Sequence, residues 1–459
     1  MKPNSNSSPD SAGLPSSAAQ ERGFAFFRQS GWMVIATTLG GLCMWLVHKP
    51  AAAAMSESEY GVFLALLQVL NLMLIPSLGL QSVFAQQAAG ALNMELQGQL
   101  ASTTRRLLAG LFVLWVAIVA LGLLFQNQVT STLKIANPAV WWVTMLIGLS
   151  MLWLPIVQGL LQGTQRFFWL GGVQILNGCG RFFGVLVLVW GLGLQSLGAM
   201  TAALAGFALA GAVAAWQSRS LWVGHGAPMR WREWFAGVVP LTLGLGAGQF
   251  MMSADQILAQ SIFDKEVTYL YGAPGMIGRA LIFFTVPVLS VMFPKIVESA
   301  ARAEKSNVLV LALGATAALG GAAALACTVL PELPLRIIYK KEYWAAAPLV
   351  PWFAWCMLPL TLSNVLIANL LARRRFEAVP YIVLVAAAYG AALMSRGTAI
   401  MAKPLPMPAS DQFAAFLMVV RTLGFFSVLM VVVTLWFTLK KDASNAVETN
   451  PTSGKARVQ

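Results

Sequence analysis

Apolar runs of roughly 20 residues, each separated from the next by a few polar ones, recur from about residue 30 to about residue 440. That is the length an α-helix rising ~1.5 Å per residue needs to cross a hydrocarbon layer about 30 Å thick. Lipid offers no partner to open backbone groups, so helices are the expected spanning form, and the alternation of a porin strand is absent. Composition points the same way: of 459 residues, 58% are hydrophobic and only 10% charged, with a mean hydropathy of +0.72. A soluble domain carries about 25% charged residues, so this chain cannot coat a water-facing surface. Soluble enzymes, nucleic-acid binders and disordered scaffolds are excluded.

About twelve spans are expected, at 30–48, 60–83, 107–125, 139–162, 168–192, 197–217, 236–262, 271–294, 308–330, 346–371, 378–394 and 413–439. Residues 1–23 and 441–459 read as disordered tails, and 221–235 as a linker between a lobe at 24–220 and a lobe at 236–440. A cleaved signal peptide fits poorly, because about 30 residues precede the first apolar run. With the N-terminus in the cytoplasm, about 19 Lys and Arg fall in inner loops against about 8 outside, which satisfies the positive-inside rule and makes both termini cytoplasmic. The net charge of +13 is thereby explained without nucleic acid, and Arg373, Arg374 and Arg375 read as a topology anchor touching lipid headgroups. Cys43, Cys179, Cys327 and Cys356 lie in apolar segments without CxxC spacing and read as packing residues. His48 and His225 fall at segment ends, which speaks against a histidine metal or catalytic cluster; no metal or cofactor is expected.

The chain repeats itself. "YGVFLALLQVLNLMLIP" begins at Tyr60 and "YGAPGMIGRALIFFTVP" at Tyr271, matching Tyr60 to Tyr271, Gly61 to Gly272 and Pro76 to Pro287 at one constant spacing. A second echo pairs Leu154-Pro155 and Arg166-Phe167 with Leu358-Pro359 and Arg375-Phe376. Span 2 then corresponds to span 8 and span 4 to span 10, giving two parallel six-helix repeats, or lobes, around a central cavity. Pro76 and Pro287 each remove a backbone hydrogen bond inside a span. They are either static kinks or a matched pair of hinges.

Four ionisable residues lie deep in the expected spans: Arg181, Asp255, Arg279 and Arg421. A charge at mid-bilayer costs at least ~2.5–3.5 kcal/mol, so such residues face a protein interior or a wet cavity. Counting along the helices puts Asp255, Arg279 and Arg421 roughly 14 Å below the outer surface and Arg181 nearer the midplane. Asp255 and Arg279 stand at matching heights on adjacent spans, where they form either a structural ion pair or part of an ion-coupling device. Arg181 and Arg421 have no acidic partner in the spans, a balance that favours an anionic ligand, phosphate in particular. Neutral polar residues accompany them, among them Gln68, Asn71, Gln174, Asn177 and Asn364; many read as interhelical hydrogen bonds. Gln174, Asn177 and Arg181 share one helix face, which suits a hydroxyl-rich ligand.

The segments "SEYGVFLALLQVL", "GLLQGTQRF", "WGLGLQSLGAM" and "YGAPGMIGRALIFFTVPVLSVMFPKI" together resemble the bacterial polysaccharide and O-antigen flippases. These belong to the multidrug/oligosaccharidyl-lipid/polysaccharide exporter superfamily, which also holds the lipid II flippases. The resemblance spans about residues 24–440 and rests on the order of the segments rather than on one sharp motif. It implies a multi-pass protein of the bacterial inner membrane, not an enzyme, that moves a polyprenyl-diphosphate-linked oligosaccharide from the cytoplasmic to the periplasmic leaflet. It also implies important arginines at Arg279 and Arg28, and work alongside the pathway's glycan polymerase and glycosyltransferases. Lipids are the other expected partners, and a monomer is the expected state. On this reading the diphosphate meets Arg279, Arg181 and Arg421 while the lipid tail stays in the bilayer between the lobes. Two alternatives stand beside it: a small-molecule or drug antiporter of the same fold, and a membrane-bound polysaccharide polymerase or ligase.

Overall fold

The computed structural model describes residues 17–91, 93–228, 231–280, 308–402 and 408–440, without the side chains of 17–30, 231–234, 308 and 409. Among the described residues, 11 segments are long and apolar enough to cross a membrane. They are α1 (Gly31–Ala54), α2 (Glu57–Gly90), α3 (Met94–Leu124), α4 (Pro138–Gly163), α5 (Phe167–Gly191), α6 (Gln195–Trp222), α7 (Phe235–Ile262), α9 (Leu309–Val329), α10 (Lys341–Ala372), α11 (Phe376–Met401) and α12 (Ser410–Leu439). Between α7 and α9 runs α8, described over Thr268–Ala280. Pro287, the second expected hinge, lies outside the described residues.

Local sequence sets the helix ends. Asn93 and Asn137 accept hydrogen bonds from the backbone N–H of Leu96 (2.8 Å) and Ala139 (3.0 Å), and Pro138 takes the first helical position of α4, where a missing N–H costs nothing. Several boundaries run past the expected spans, two of them as follows. The helix of α3 begins at Met94 rather than near 107, and α11 runs on to Met401 rather than ending near 394. In both, the added turns are polar (Gln97, Gln99 and Arg105 in one, Ser395 and Arg396 in the other), so hydropathy reports only the lipid-immersed part of a longer helix. The chain between the expected spans 378–394 and 413–439 is therefore helical up to Met401.

The repeat is visible in how the helices pack. α1 packs on α5 as α7 packs on α11; α2 and α3 on α4 as α8 and α9 on α10; α4 and α5 on α6 as α10 and α11 on α12. The turns after α4 and α10 are copies of one another. Gln165 (φ 56°) and Arg374 (φ 54°) both adopt the left-handed conformation. The next residues, Arg166 and Arg375, donate their N–H to Leu161 O and Leu370 O, at 2.9 Å in each case, closing the same helix-ending motif. Arg166 then reaches the carbonyl of Gln217 at the end of α6, and Arg375 those of Thr438 and Lys440 at the end of α12. Each lobe is pinned at one end by an arginine, and Arg375 also lies 3.7 Å from Glu377. This end, with Arg105, Arg166 and Arg375, is termed the basic face, and the opposite end the tyrosine face.

The lobes meet chiefly through α2 against α7. Gly61 lies beside Gln260, Ile75 beside Gly246, and Gly79 beside Thr242, so the two helices run antiparallel in constant register. The α-helical part of α2 stops at Met73, a 3-10 turn carries Ile75–Ser77, and a new helix begins at Leu80. Pro76 is the cause: it has no N–H to donate and disfavours helix in the residue before it. The carbonyl of Leu74 accepts from both the N–H and the Oγ of Ser77 (2.9 Å each), and that hydroxyl also contacts Met151 O (3.2 Å).

Candidate functional site

The lobes close at one face and part at the other. At the tyrosine face, Tyr60 of α2 is fully buried and its hydroxyl donates to that of Tyr339, just before α10, at 3.2 Å. Tyr339 stacks on Tyr343, which in turn meets Tyr269 edge-on at 4.8 Å. Two further links cross between the lobes there. Lys134 Nζ donates to the carbonyls of Phe263 and Gln260, and Gln260 Nε2 donates to Leu133 O (3.0 Å). Burial lowers the pKa of the Lys134 ammonium below its ordinary value, with Asp264 opposing that shift. At the basic face, by contrast, α2 and α3 separate from α7 and α10. The cleft between them has a volume of about 800 Å³. Its α2–α3 wall carries Ser82, Gln86, Gln87, Gln99 and Thr103, and its far wall is apolar apart from Arg374.

Deeper in the N-terminal lobe lies a cavity of about 380 Å³. Helical spacing brings Gln68 and Asn71 of α2 and Gln174, Asn177 and Arg181 of α5 to it, facing Gln158 of α4 and His48 of α1. Gln81, next along α2 to Ser82 of the cleft, lines it as well, so amide side chains follow α2 from the basic face to Arg181. Arg181 is 9% exposed and its guanidinium lies 4.4 Å above the Phe207 ring. Gly206 permits that approach, since a Cβ there would sit 2.9 Å from Arg181 Cγ. Arg181 has no hydrogen-bond or ionic partner among the described residues, and its buried Nε and the Oδ1 of Asn177 are both unsatisfied. Among the described residues that line this cavity none is acidic.

The second buried charge centre is self-contained. Asp255 is fully buried in α7 and its Oδ1 lies 2.6 Å from Arg279 Nη2 of α8. Tyr271 donates its hydroxyl to Oδ2 (2.9 Å), and Arg279 Nε donates to Met252 O (2.8 Å). The equal heights counted from the sequence thus correspond to a direct ion pair with both carboxylate oxygens occupied.

The remaining expected residues lie apart. Arg421 is exposed on α12, its guanidinium 4.6 Å above the ring of Trp352, which is itself 39% exposed. Asn364 is in the C-terminal lobe, with Nδ2 3.5 Å from Met252 Sδ. Arg28 lies in the helix that leads into α1, and its side chain is outside the described residues. The structure therefore gathers Arg181, Gln68, Asn71, Gln174 and Asn177 at one cavity, and Arg279 with Asp255 at another place. His48 is the residue that sequence reasoning passed over. It is 2% exposed, and its Nδ1 lies 3.0 Å from Tyr60 Oη. Its position at a segment end carried no signal of that burial.

No protein-family model matches the chain, and no curated protein matches it. Solved structures do. The chain is similar to a multidrug resistance MATE family transporter of the MOP superfamily in its inward-facing conformation (TM-score 0.68, 11% identity, 88% of this chain and 94% of that one). The outward-facing conformation of a MATE family transporter gives 0.61 at 13% identity, over 90% and 94% of the two chains. The lipid II flippase MurJ, in an inward closed conformation, gives 0.65 at 13% identity, over 90% and 88%. The fold is that of the MOP-superfamily transporters, with two lobes in a multi-pass membrane protein.

Proposed function

We propose that this chain is a flippase that carries a polyprenyl-diphosphate-linked oligosaccharide, a repeat unit of O-antigen, capsule or exopolysaccharide, across the bacterial inner membrane. The observation that carries the reading is Arg181: a buried guanidinium without a counter-ion among the described residues, in a cavity whose other polar lining is neutral amides and His48. A guanidinium donates paired hydrogen bonds to phosphate oxygens, and amides donate to and accept from sugar hydroxyls. A carrier of cationic drugs needs the opposite sign. Asp255, the one buried acid among the described residues, is already taken by Arg279 and Tyr271.

On this reading the basic face is cytoplasmic, as its arginines favour. The cleft there admits the headgroup from the inner leaflet, the amides along α2 receive the sugars, and the diphosphate reaches Arg181. The tyrosine face keeps the periplasmic side shut until the lobes rock about the α2–α7 contact, with the break at Pro76 absorbing the bend. The better match to an inward-facing transporter fits that starting state.

The test is reconstitution into vesicles with a fluorescent short-chain polyprenyl diphosphate bearing a disaccharide, its leaflet read by an impermeant quencher. Wild type is expected to move it, Arg181→Ala at least tenfold more slowly, and Arg181→Lys at an intermediate rate. Equal rates for wild type and Arg181→Ala at equal protein density, or movement of a cationic dye in place of the lipid, count against the assignment.

A further inference from the structure

The cavity around Arg181 has a charge problem that its lining solves in one way. A diphosphate joining a lipid to a sugar is a diester with two negative charges, and Arg181 supplies one positive charge. Among the described residues lining the cavity, one other can ionise: His48. The hydrogen bond from Tyr60 to Tyr339 favours one tautomer. Tyr60 donates its hydroxyl to Tyr339, so the Tyr60 oxygen accepts from His48 Nδ1–H at 3.0 Å. In that tautomer Nε2 carries a lone pair and no proton. A neutral Nε2 repels a phosphate oxygen; a protonated Nε2 donates to it.

We propose that His48 takes up one proton when a diphosphate binds at Arg181, so that loading the carrier with its dianion also loads a proton. The inference rests on the diphosphate reading above. As the phosphate oxygens approach, a proton from water forms the Nε2–H bond. The imidazolium then donates from Nε2 to the ligand while Nδ1–H keeps its bond to Tyr60. The surroundings leave His48 alone in this role. Tyr60 on α2 and Tyr339 and Tyr343 at the α10 end are phenols locked in the interlobe contact. Arg181 on α5 is already cationic. Glu59, beside Tyr60, accepts from Ser196, and Glu332 and Arg336 of the Glu332–Ile338 helix pair with each other at the surface. Among the described residues no carboxylate lines the cavity to neutralise the imidazolium once the ligand has left, so release of the dianion favours release of the proton with it.

The sign of the pH dependence follows by linkage. The loaded form holds one more proton than the empty form, so diphosphate affinity rises as pH falls, by as much as about tenfold per pH unit. Calorimetry of the detergent-solubilised full chain, in two buffers of unlike ionisation enthalpy, counts the protons. The probes are a short-chain prenyl diphosphate bearing one sugar and the matching prenyl monophosphate diester, which carries a single charge. Wild type is expected to take up about one proton with the diphosphate and none with the monophosphate. His48→Gln, checked as folded by its thermal unfolding, is expected to lose both the proton uptake and the pH dependence toward the diphosphate. Diphosphate binding by wild type without proton uptake overturns the inference and leaves the flippase reading standing, as does uptake that persists in His48→Gln. Wild type that binds neither lipid overturns both.

Discussion

Replacing Arg279 with Met is expected to destabilise the protein by about 3–5 kcal/mol, because it strands the fully buried Asp255 carboxylate without its counter-charge. Tyr271 would still donate to Oδ2, but Oδ1 would lose its partner at 2.6 Å, and the C-terminal lobe is closed over both oxygens. The pair itself is a different quantity. Desolvating two ions offsets most of their attraction, so the double variant Arg279→Met with Asp255→Asn should recover a large part of the loss. Thermal unfolding of the four combinations in detergent, at matched membrane abundance, separates the cases. A double variant no more stable than Arg279→Met alone would show that the damage comes from lost packing rather than from an uncompensated charge. If Arg279→Met melts with wild type, the ion pair is no part of the protein's stability.

Gly178→Ala is expected to cost about 3 kcal/mol, the upper range for a single added methyl, because the methyl meets backbone rather than side chain. A Cβ at Gly178 of α5 would stand 2.2 Å from Gly40 O of α1, and one at Gly40 would stand 2.7 Å from Gln174 O. The two helices touch main chain to main chain, with Cys43 and Cys179 packed next to the contact, their Sγ atoms 3.0 Å apart. Neither side can yield without moving a whole helix, and α5 carries Arg181, so transport should fall along with stability. Gly172 on the same helix is the control, since nothing lies within 4 Å of its Cβ position. Gly172→Ala should be neutral or stabilising by up to about 1 kcal/mol through helix propensity. Equal melting of the two alanine variants would mean that α1 and α5 do not pack this closely in the membrane.

Sequence alone carried the architecture a long way, for a physical reason. Crossing a bilayer fixes the length and polarity of every helix, and a duplicated chain repeats its turns, so Arg166 and Arg375 could be matched before their shared geometry was seen. Depth is legible too: Asp255 and Arg279 were placed at one height because each is counted from the same turn. What counting cannot supply is the direction in which a side chain leaves its helix. Arg181 and Arg421 look alike by hydropathy, yet one is buried in a cavity and the other is exposed on Trp352. That difference is set by packing partners far away in the chain. The same holds for Tyr60 and Tyr339, whose contact across 279 positions no local pattern announces. His48 falls at a segment end in the sequence, and that position says nothing of its burial beside Tyr60.

The guanidinium of Arg181, whose Nε has no partner among the described residues, lets the protein report its own ligand. On the proposed function, a fitting anion both answers that buried charge and binds the native form alone. Such a ligand raises the melting temperature, at a hundredfold excess over its dissociation constant by the equivalent of about 2.7 kcal/mol. Head groups differing in charge and sugar can therefore be ranked by heating the purified protein, without reconstituting it.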